Sequence, residues 1–184
     1  WQETLQVCDN INLQDYVEFL DIDEKTREPQ PFSSASIAQV YRVQSTIQNF
    51  EKLRQLLVQA EEKVFFETPV SVNNVRDAKI QCIFKVCHPN VAQTFGRSLR
   101  TVTQLYLFAQ KLMGSGSSLA MINIHEVVAT ELQRQCNLLC EAEHGQVLRK
   151  NFANNPYVGI PFIYLASTQF LFEEYVDNAI FYDE

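Results

Sequence analysis

The sequence predicts an α+β domain in which an antiparallel sheet is flanked by helices. Four apolar runs have the alternation or the composition of strands; they lie at 36–45, 80–87, 162–165 and 170–172. Three longer segments repeat apolar residues at spacings of three and four, which is typical of helices; they lie at 47–64, 90–113 and 123–153. The 184 residues are enough to bury the core of one domain.

The first 30 residues are expected to form a helical extension and a connector. Apolar residues from Leu5 to Leu20 favour one helix, or two short ones, over 4–20. The stretch at 21–30 is charged and contains Pro29, which predicts a connector. The main domain is then expected at 31–178.

A long insertion at 44–79 separates the first two predicted strands. An amphipathic helix is predicted over 47–64, because apolar residues recur there at spacings of three and four: Ile47, Phe50, Leu53, Leu56, Leu57, Ala60 and Val64. Its apolar face has to be covered. Two alternatives are open, because the helix can pack on its own domain or serve as a docking helix for a partner protein.

The segment after the second strand is predicted to be mostly helical. Pro89 stops the strand, and the helix at 90–113 follows. A flexible linker is expected at 114–118, which reads Gly-Ser-Gly-Ser-Ser. The last helix, at 123–153, carries Glu131 and Glu141.

Charge and hydropathy exclude two classes of partner. The net charge of −7 gives no support for nucleic-acid binding by a general basic surface. No apolar run reaches the roughly 18–20 residues that a membrane span needs, so only peripheral contact with a membrane stays open. A hydrophobic fraction of 46% with five glycines argues against disorder.

The five cysteines contain no CxxC pair and do not suggest disulfides. Cys136 and Cys140 are four residues apart, beside His144, which leaves a metal site as an alternative. Reduced, half-buried thiols are the favoured interpretation, and no metal ligand is assigned. A reducing compartment, the cytosol or the mitochondrial matrix, fits this cysteine usage.

Three features point to chemistry. Four small residues precede the first strand, where a backbone can turn tightly or approach a ligand: Ser33, Ser34, Ala35 and Ser36. Lys85 is a lone charge in an apolar run, and Glu141 lies in a helical stretch. In this order they are the parts of a kinase small lobe. Taken alone, such a lysine and glutamate are more often surface side chains.

Five segments resemble motifs of the UbiB/ABC1 family, the atypical kinase-like proteins that support coenzyme Q biosynthesis. They stand in the family's order and cover residues 31–178. Residues 34–42, SASIAQVYR, resemble the family's alanine-rich AAAS-I-A-Q-V-H-R-A loop, and residues 84–89, FKVCHP, resemble its V-A-V-K-V-Q-H-P motif. Residues 131–142 resemble its E-C-D-x-x-x-E-A helix, residues 151–161 its Asn-Pro link, and residues 171–177, LFEEYVD, its V-L-x-x-E-Y-V-D-G hinge.

The resemblance implies a protein-kinase-like small lobe that binds ATP, with Mg²⁺ as its companion ion. Lys85 would reach the phosphates and Glu141 would hold it in place. The loop at 33–36 would cover the nucleotide, and Glu174 and Tyr175 would lie at the hinge, where backbone groups meet adenine. The family also implies a mitochondrial location on the matrix side.

The chain departs from the family's pattern at several positions. The K-x-G-Q motif that the family carries upstream of the loop is missing from this chain, and Asn178 replaces the family's hinge glycine. Gln135 and Asn137 stand where the family carries Glu and Asp, so each loses a charge. Residues 179–184 would begin a large lobe whose catalytic and metal-binding groups are not in this chain, so no catalytic residue is assigned.

These departures favour a non-catalytic structural or assembly subunit of a mitochondrial complex. Its protein partners would cover the inter-lobe face and the helix at 47–64. The alternative is the ordered part of an active UbiB-type ATPase or atypical kinase for coenzyme Q biosynthesis. A lipid- or quinone-binding module is the third hypothesis, although no residue pattern indicates a lipid pocket.

Overall fold

A computed structural model of the chain has an antiparallel sheet with helices on both faces, which confirms the predicted class. It describes residues 6–7, 11–34, 37–69, 77–89, 91–113, 127, 130–131 and 134–177. The strands are β1 (Gln6–Val7), β2 (Ile11–Asn12), β3 (Glu18–Phe19), β4 (Ser33–Ser34), β5 (Ala38–Ser45), β6 (Phe65–Phe66), β7 (Ile80–Cys87), β8 (Ile163–Ala166) and β9 (Phe170–Glu174). The helices are α1 (Ile47–Gln59), α2 (Val91–Met113) and α3 (Leu138–Phe152).

Within the described residues, seven strands form the main sheet in the order β3-β5-β7-β9-β8-β6, and β4 pairs with β5. All the pairings are antiparallel. Strand β7 is central, since its Lys85 lies opposite Val40 of β5 on one side and Leu171 of β9 on the other. β1 and β2 form a separate small pair.

The insertion helix α1 covers one face of the sheet. Phe50, Leu53 and Leu57 are fully buried in the larger core cluster. Phe172 connects helix and sheet, because its ring centroid lies 5.1 Å from that of Phe50 and 4.7 Å from that of Phe84. Of the two alternatives for this helix, the structure has the first, because its apolar face packs on its own domain.

Helix α3 covers the opposite face of the sheet. Leu138 and Ala142 are buried against Ile163 and Leu171 in a second cluster. The approach is close at Gly145, where an added Cβ would lie 2.8 Å from Cδ1 of Ile163. Carbon atoms pack best at about 3.5–4.0 Å, so a larger residue at position 145 would require the end of the Ile163 side chain to move.

The predicted helix over 4–20 is wrong in the described residues. The segment forms β1, β2, a 3₁₀ turn at Leu13–Asp15 and β3, which pairs with β5. The buried apolar residues recur in steps of two, at Ile11 and Leu13 and again at Val17 and Phe19. That period is typical of extended chain and not of a helix, which is why the helical prediction fails here.

Two predicted helix boundaries are also corrected. α1 ends at Gln59 rather than at residue 64, and Glu61 follows with a left-handed φ of 59°. The long helix predicted over 123–153 is interrupted before Leu138, because Asn137 has extended dihedrals. The linker expected at 114–118 and residues 178–184 lie outside the described residues. None of the helices that the structure describes is long and apolar enough to cross a membrane.

Candidate functional site

Lys85 and Glu141 meet in a cleft between the sheet and α3. Lys85 alternates with Phe84 and Val86, which are buried on the α1 face, so it projects from the opposite face. Its Nζ donates to both carboxylate oxygens of Glu141, at 2.7 Å and 2.8 Å. The side chains are 28% and 45% exposed, so the ammonium is held in place while the cleft stays open to a ligand.

Asn137 sets where α3 begins and so positions Glu141 in the first turn. Its Oδ1 accepts from the backbone N–H of Leu139 at 3.1 Å, which makes it the N-cap. The N–H of Leu138 donates to the carbonyl of Thr168, tying the helix start to the turn between β8 and β9. Asn and Asp cap helices about equally well, so the missing charge at this position does not weaken the cap.

The cleft has a volume of about 610 Å³, within the range of small-molecule sites. Its walls combine apolar and ionisable side chains. The apolar part includes Ile37, Leu148, Ile160 and Ile163, and the charged part includes Lys85, Glu141 and Glu173. The apolar wall suits a flat apolar portion of a ligand, and an anionic portion can contact the cations of the lining, Lys85 and Arg134, which lie among the carboxylates of Glu131, Glu141 and Glu173.

Glu173 is the site residue that the sequence interpretation missed. It lies on β9 opposite Ile83, and both side chains project from the same face of the sheet as Lys85. Burial raises the pKa of the Glu173 carboxyl, the Glu141 carboxylate raises it further, and Lys85 partly opposes the shift. The sequence does carry one indication of this residue. Glu173 is a charged residue in an apolar strand, as Lys85 is.

The structure describes two of the four residues of the predicted small-residue loop. Ser33 and Ser34 are exposed on β4, where they pair with Val40 and Gln39 of β5, and neither lines the cleft. Ala35 and Ser36 lie outside the described residues. Their predicted role in covering a nucleotide stays a prediction.

The side chains of Glu174 and Tyr175 are engaged in contacts within the domain. The Glu174 carboxylate accepts from the backbone N–H of Phe162 at 3.1 Å. Arg42 donates to Asp21, with Nε 2.7 Å from Oδ2, and its guanidinium also lies beside the Tyr175 hydroxyl. Both neighbours, Asp21 first, raise the pKa of Arg42. Any contact that these hinge residues make with a base would therefore come from their backbone groups.

Cys82 and Cys87 are buried on β7. Burial raises the pKa of Cys82 to about 12 and that of Cys87 to about 11, which keeps both thiols protonated. Among the described residues, no group of three or more His, Cys, Asp or Glu is arranged to hold a metal ion. We therefore assign no Mg²⁺ ligand to these residues.

A central strand lysine held by a helix glutamate across an antiparallel sheet defines a kinase-like small lobe. Comparison with protein families makes the class more specific. The model of the ABC1 atypical kinase-like domain matches residues 72–183, more than half of the chain. The chain belongs to the ABC1 atypical kinase-like family.

Known relatives agree with this assignment. A probable protein kinase UbiB from Shewanella frigidimarina is 30% identical over 108 residues, which cover 54% of this chain and 20% of that protein. A mitochondrial ABC1 family protein of Schizosaccharomyces pombe is 28% identical over 159 residues, covering 80% of this chain and 21% of that protein. The chain thus spans about a fifth of the length of these relatives.

One solved structure has a similar fold. In the complex of Rv3197 with erythromycin from Mycobacterium tuberculosis, the matching region has a TM-score of 0.53 at 12% identity. It covers 86% of this chain and 31% of the Mycobacterium chain. At this identity the likeness concerns the fold alone.

Proposed function

We propose that this chain binds a nucleoside triphosphate as the small lobe of an ABC1 kinase-like protein. The observation that carries the proposal is the two-oxygen contact of Glu141 with the Lys85 ammonium. A lysine held in this way is a fixed positive charge in a cleft, which is what phosphate oxygens require. Glu141 acts as a positioning residue, because it orients the ammonium without needing to touch the ligand.

The rest of the cleft suits the other parts of such a ligand. Apolar side chains, among them Ile37 and Ile163, give a wall against which a base can bury its ring. β9 ends at Glu174, and the backbone that follows, at 175–177, is outside the strands and free of ladder pairing. The base would lie against this backbone, and the triphosphate would extend from the base towards Lys85.

The activity of the whole protein and its location are wider proposals. Family membership supports an atypical kinase or ATPase function connected with coenzyme Q biosynthesis, with ATP and Mg²⁺ as cofactors. The Schizosaccharomyces pombe relative supports a mitochondrial location. We place the chain on the matrix side as part of the same proposal.

A second candidate is a non-catalytic subunit that assembles with partner proteins. It is favoured by an apolar stripe on α2, where Val102, Leu105 and Phe108 follow one another at spacings of three. These side chains are 55%, 63% and 62% exposed. A protein partner would cover this stripe and the inter-lobe face, and the chain would need no nucleotide.

Calorimetric titration of the purified chain with ATP and Mg²⁺ separates the two candidates. Saturable binding that falls tenfold or more in Lys85→Ala, about 1.4 kcal/mol, supports the nucleotide site. Lys79→Ala is the matched control, because Lys79 pairs with Glu18, at 2.5 Å, outside the cleft. An absence of binding in a folded wild-type chain would overturn the first candidate and leave the assembly role.

A further inference from the structure

The strand register places Glu173 between the phosphate-binding lysine and the hinge. Lys85 lies opposite Leu171, and Glu173 is two residues further along β9, next to its end at Glu174. Two residues of a strand advance by about 7 Å. A ligand that extends from the hinge backbone to Lys85 would therefore have its base, not its phosphates, beside Glu173.

In the part of the chain that the structure describes, no hydrogen bond joins the Glu173 carboxylate to another protein group, whereas its neighbour Glu174 accepts from Phe162. Lys85 is occupied by both oxygens of Glu141. Its oxygens keep contact with solvent, since no buried side-chain oxygen of the described residues lacks a partner. A ligand that displaces this solvent and supplies an N–H keeps the Glu173 carboxylate paired, whereas a ligand without a donor here leaves it unpaired at a cost in affinity.

An ionised carboxylate accepts hydrogen bonds and cannot donate them. An exocyclic amino group on a base can donate to it, whereas an oxo group at the same position would bring two acceptors together. We propose that Glu173 is a specificity-determining residue, which selects nucleotides whose base carries an exocyclic amine beside β9 and disfavours those with an oxo group there. This inference rests on the proposed nucleotide-binding function.

ATP and inosine triphosphate form a matched pair of probes, because inosine replaces the 6-amino group of adenosine by a 6-oxo group. Backbone groups at the hinge can also distinguish these bases. The informative quantity is therefore the change in the ratio of the two dissociation constants when only Glu173 is altered. Glu173→Gln keeps the shape of the side chain and can both donate and accept.

The experiment titrates both nucleotides, with Mg²⁺, into the purified wild-type chain, Glu173→Gln and the charge-matched control Glu143→Gln. Glu143 is exposed on α3 and does not line the cleft. We expect ATP to bind the wild-type chain about tenfold or more tightly than inosine triphosphate. The ratio should shrink at least about threefold in Glu173→Gln and stay unchanged in Glu143→Gln.

The two proposals fail in different ways. If ATP binds and the ratio is the same in Glu173→Gln as in the wild type, the role of Glu173 is overturned and nucleotide binding stands. If neither nucleotide binds the folded wild-type chain, nucleotide binding itself is overturned, and the role of Glu173 falls with it.

Discussion

The Lys85 ammonium bridges both oxygens of the Glu141 carboxylate, at 2.7 Å and 2.8 Å, across 56 positions of sequence. This contact exists because the two faces of the sheet are covered by different elements. α1 buries the face that carries Phe84, which leaves the Lys85 face to α3. The insertion between the first two long strands therefore has a structural role, since it covers one face while the cleft forms on the other.

The start of α3 should depend on Asn137. Asn137→Ala removes the acceptor for the Leu139 N–H and should cost about 1 kcal/mol of unfolding free energy. Asn137→Asp keeps an acceptor at this position and should unfold within about 0.5 kcal/mol of the wild type. Urea unfolding followed by circular dichroism measures both. Equal loss in the two variants would show that the cap is not what the side chain provides.

The packing of α1 is tested by truncating its buried face. Leu53 is fully buried, so Leu53→Ala should lower the unfolding free energy by about 2–5 kcal/mol. Val58→Ala is the control on the same helix, because Val58 is 52% exposed and should cost below about 0.5 kcal/mol. If both variants were as stable as the wild type, α1 would not be packed on its own sheet in solution.

The partly buried carboxyl of Glu173 should make stability depend on pH. Its pKa is raised in the folded state, so the folded chain binds this proton more strongly than the unfolded chain does. Its contribution is favourable below the ordinary pKa of 4.5 and is lost as the pH rises through the raised value. Glu173→Gln removes that loss. Its Tm should exceed that of the wild type at pH 7 and match it at about pH 3.

Two neighbouring charges also affect the pKa of Glu173: Glu141 raises it and Lys85 lowers it. Glu141→Gln removes the nearby negative charge and should also weaken the dependence, since Glu141 adds to the shift. A Glu173→Gln variant with the same Tm difference at both pH values would contradict a titrating carboxyl at this position.

The sequence pattern was sufficient for the elements with one clear period. β5, β7, α1 and α2 lie close to their predicted positions because each has a long, regular apolar repeat. The N-terminal segment was predicted incorrectly because two short extended stretches, around Ile11 and Phe19, flank a 3₁₀ turn. Neither stretch is long enough to establish a period, and the pairing of β3 with β5 is a tertiary contact.

The candidate site was predictable only in part. Spacing alone does not bring Lys85 to Glu141, and the pairing was expected from the family resemblance rather than from the residues. Glu173 was not predicted as a site residue, because its position depends on the register of β9 against β7, which no local pattern specifies. Asn137 was interpreted as a lost charge, whereas in the structure its amide side chain caps α3.

The most direct test of the nucleotide site is a calorimetric cycle with ATP and Mg²⁺ on four forms of the chain: the wild type, Lys85→Ala, Glu141→Gln and the double variant. We predict a loss of tenfold or more for Lys85→Ala, about 1.4 kcal/mol, and a smaller loss for Glu141→Gln. The double variant should resemble Lys85→Ala alone, because Glu141 acts through the lysine that it holds. Unchanged ATP affinity in Lys85→Ala, with wild-type binding intact, would contradict the assignment of this cleft as the phosphate site.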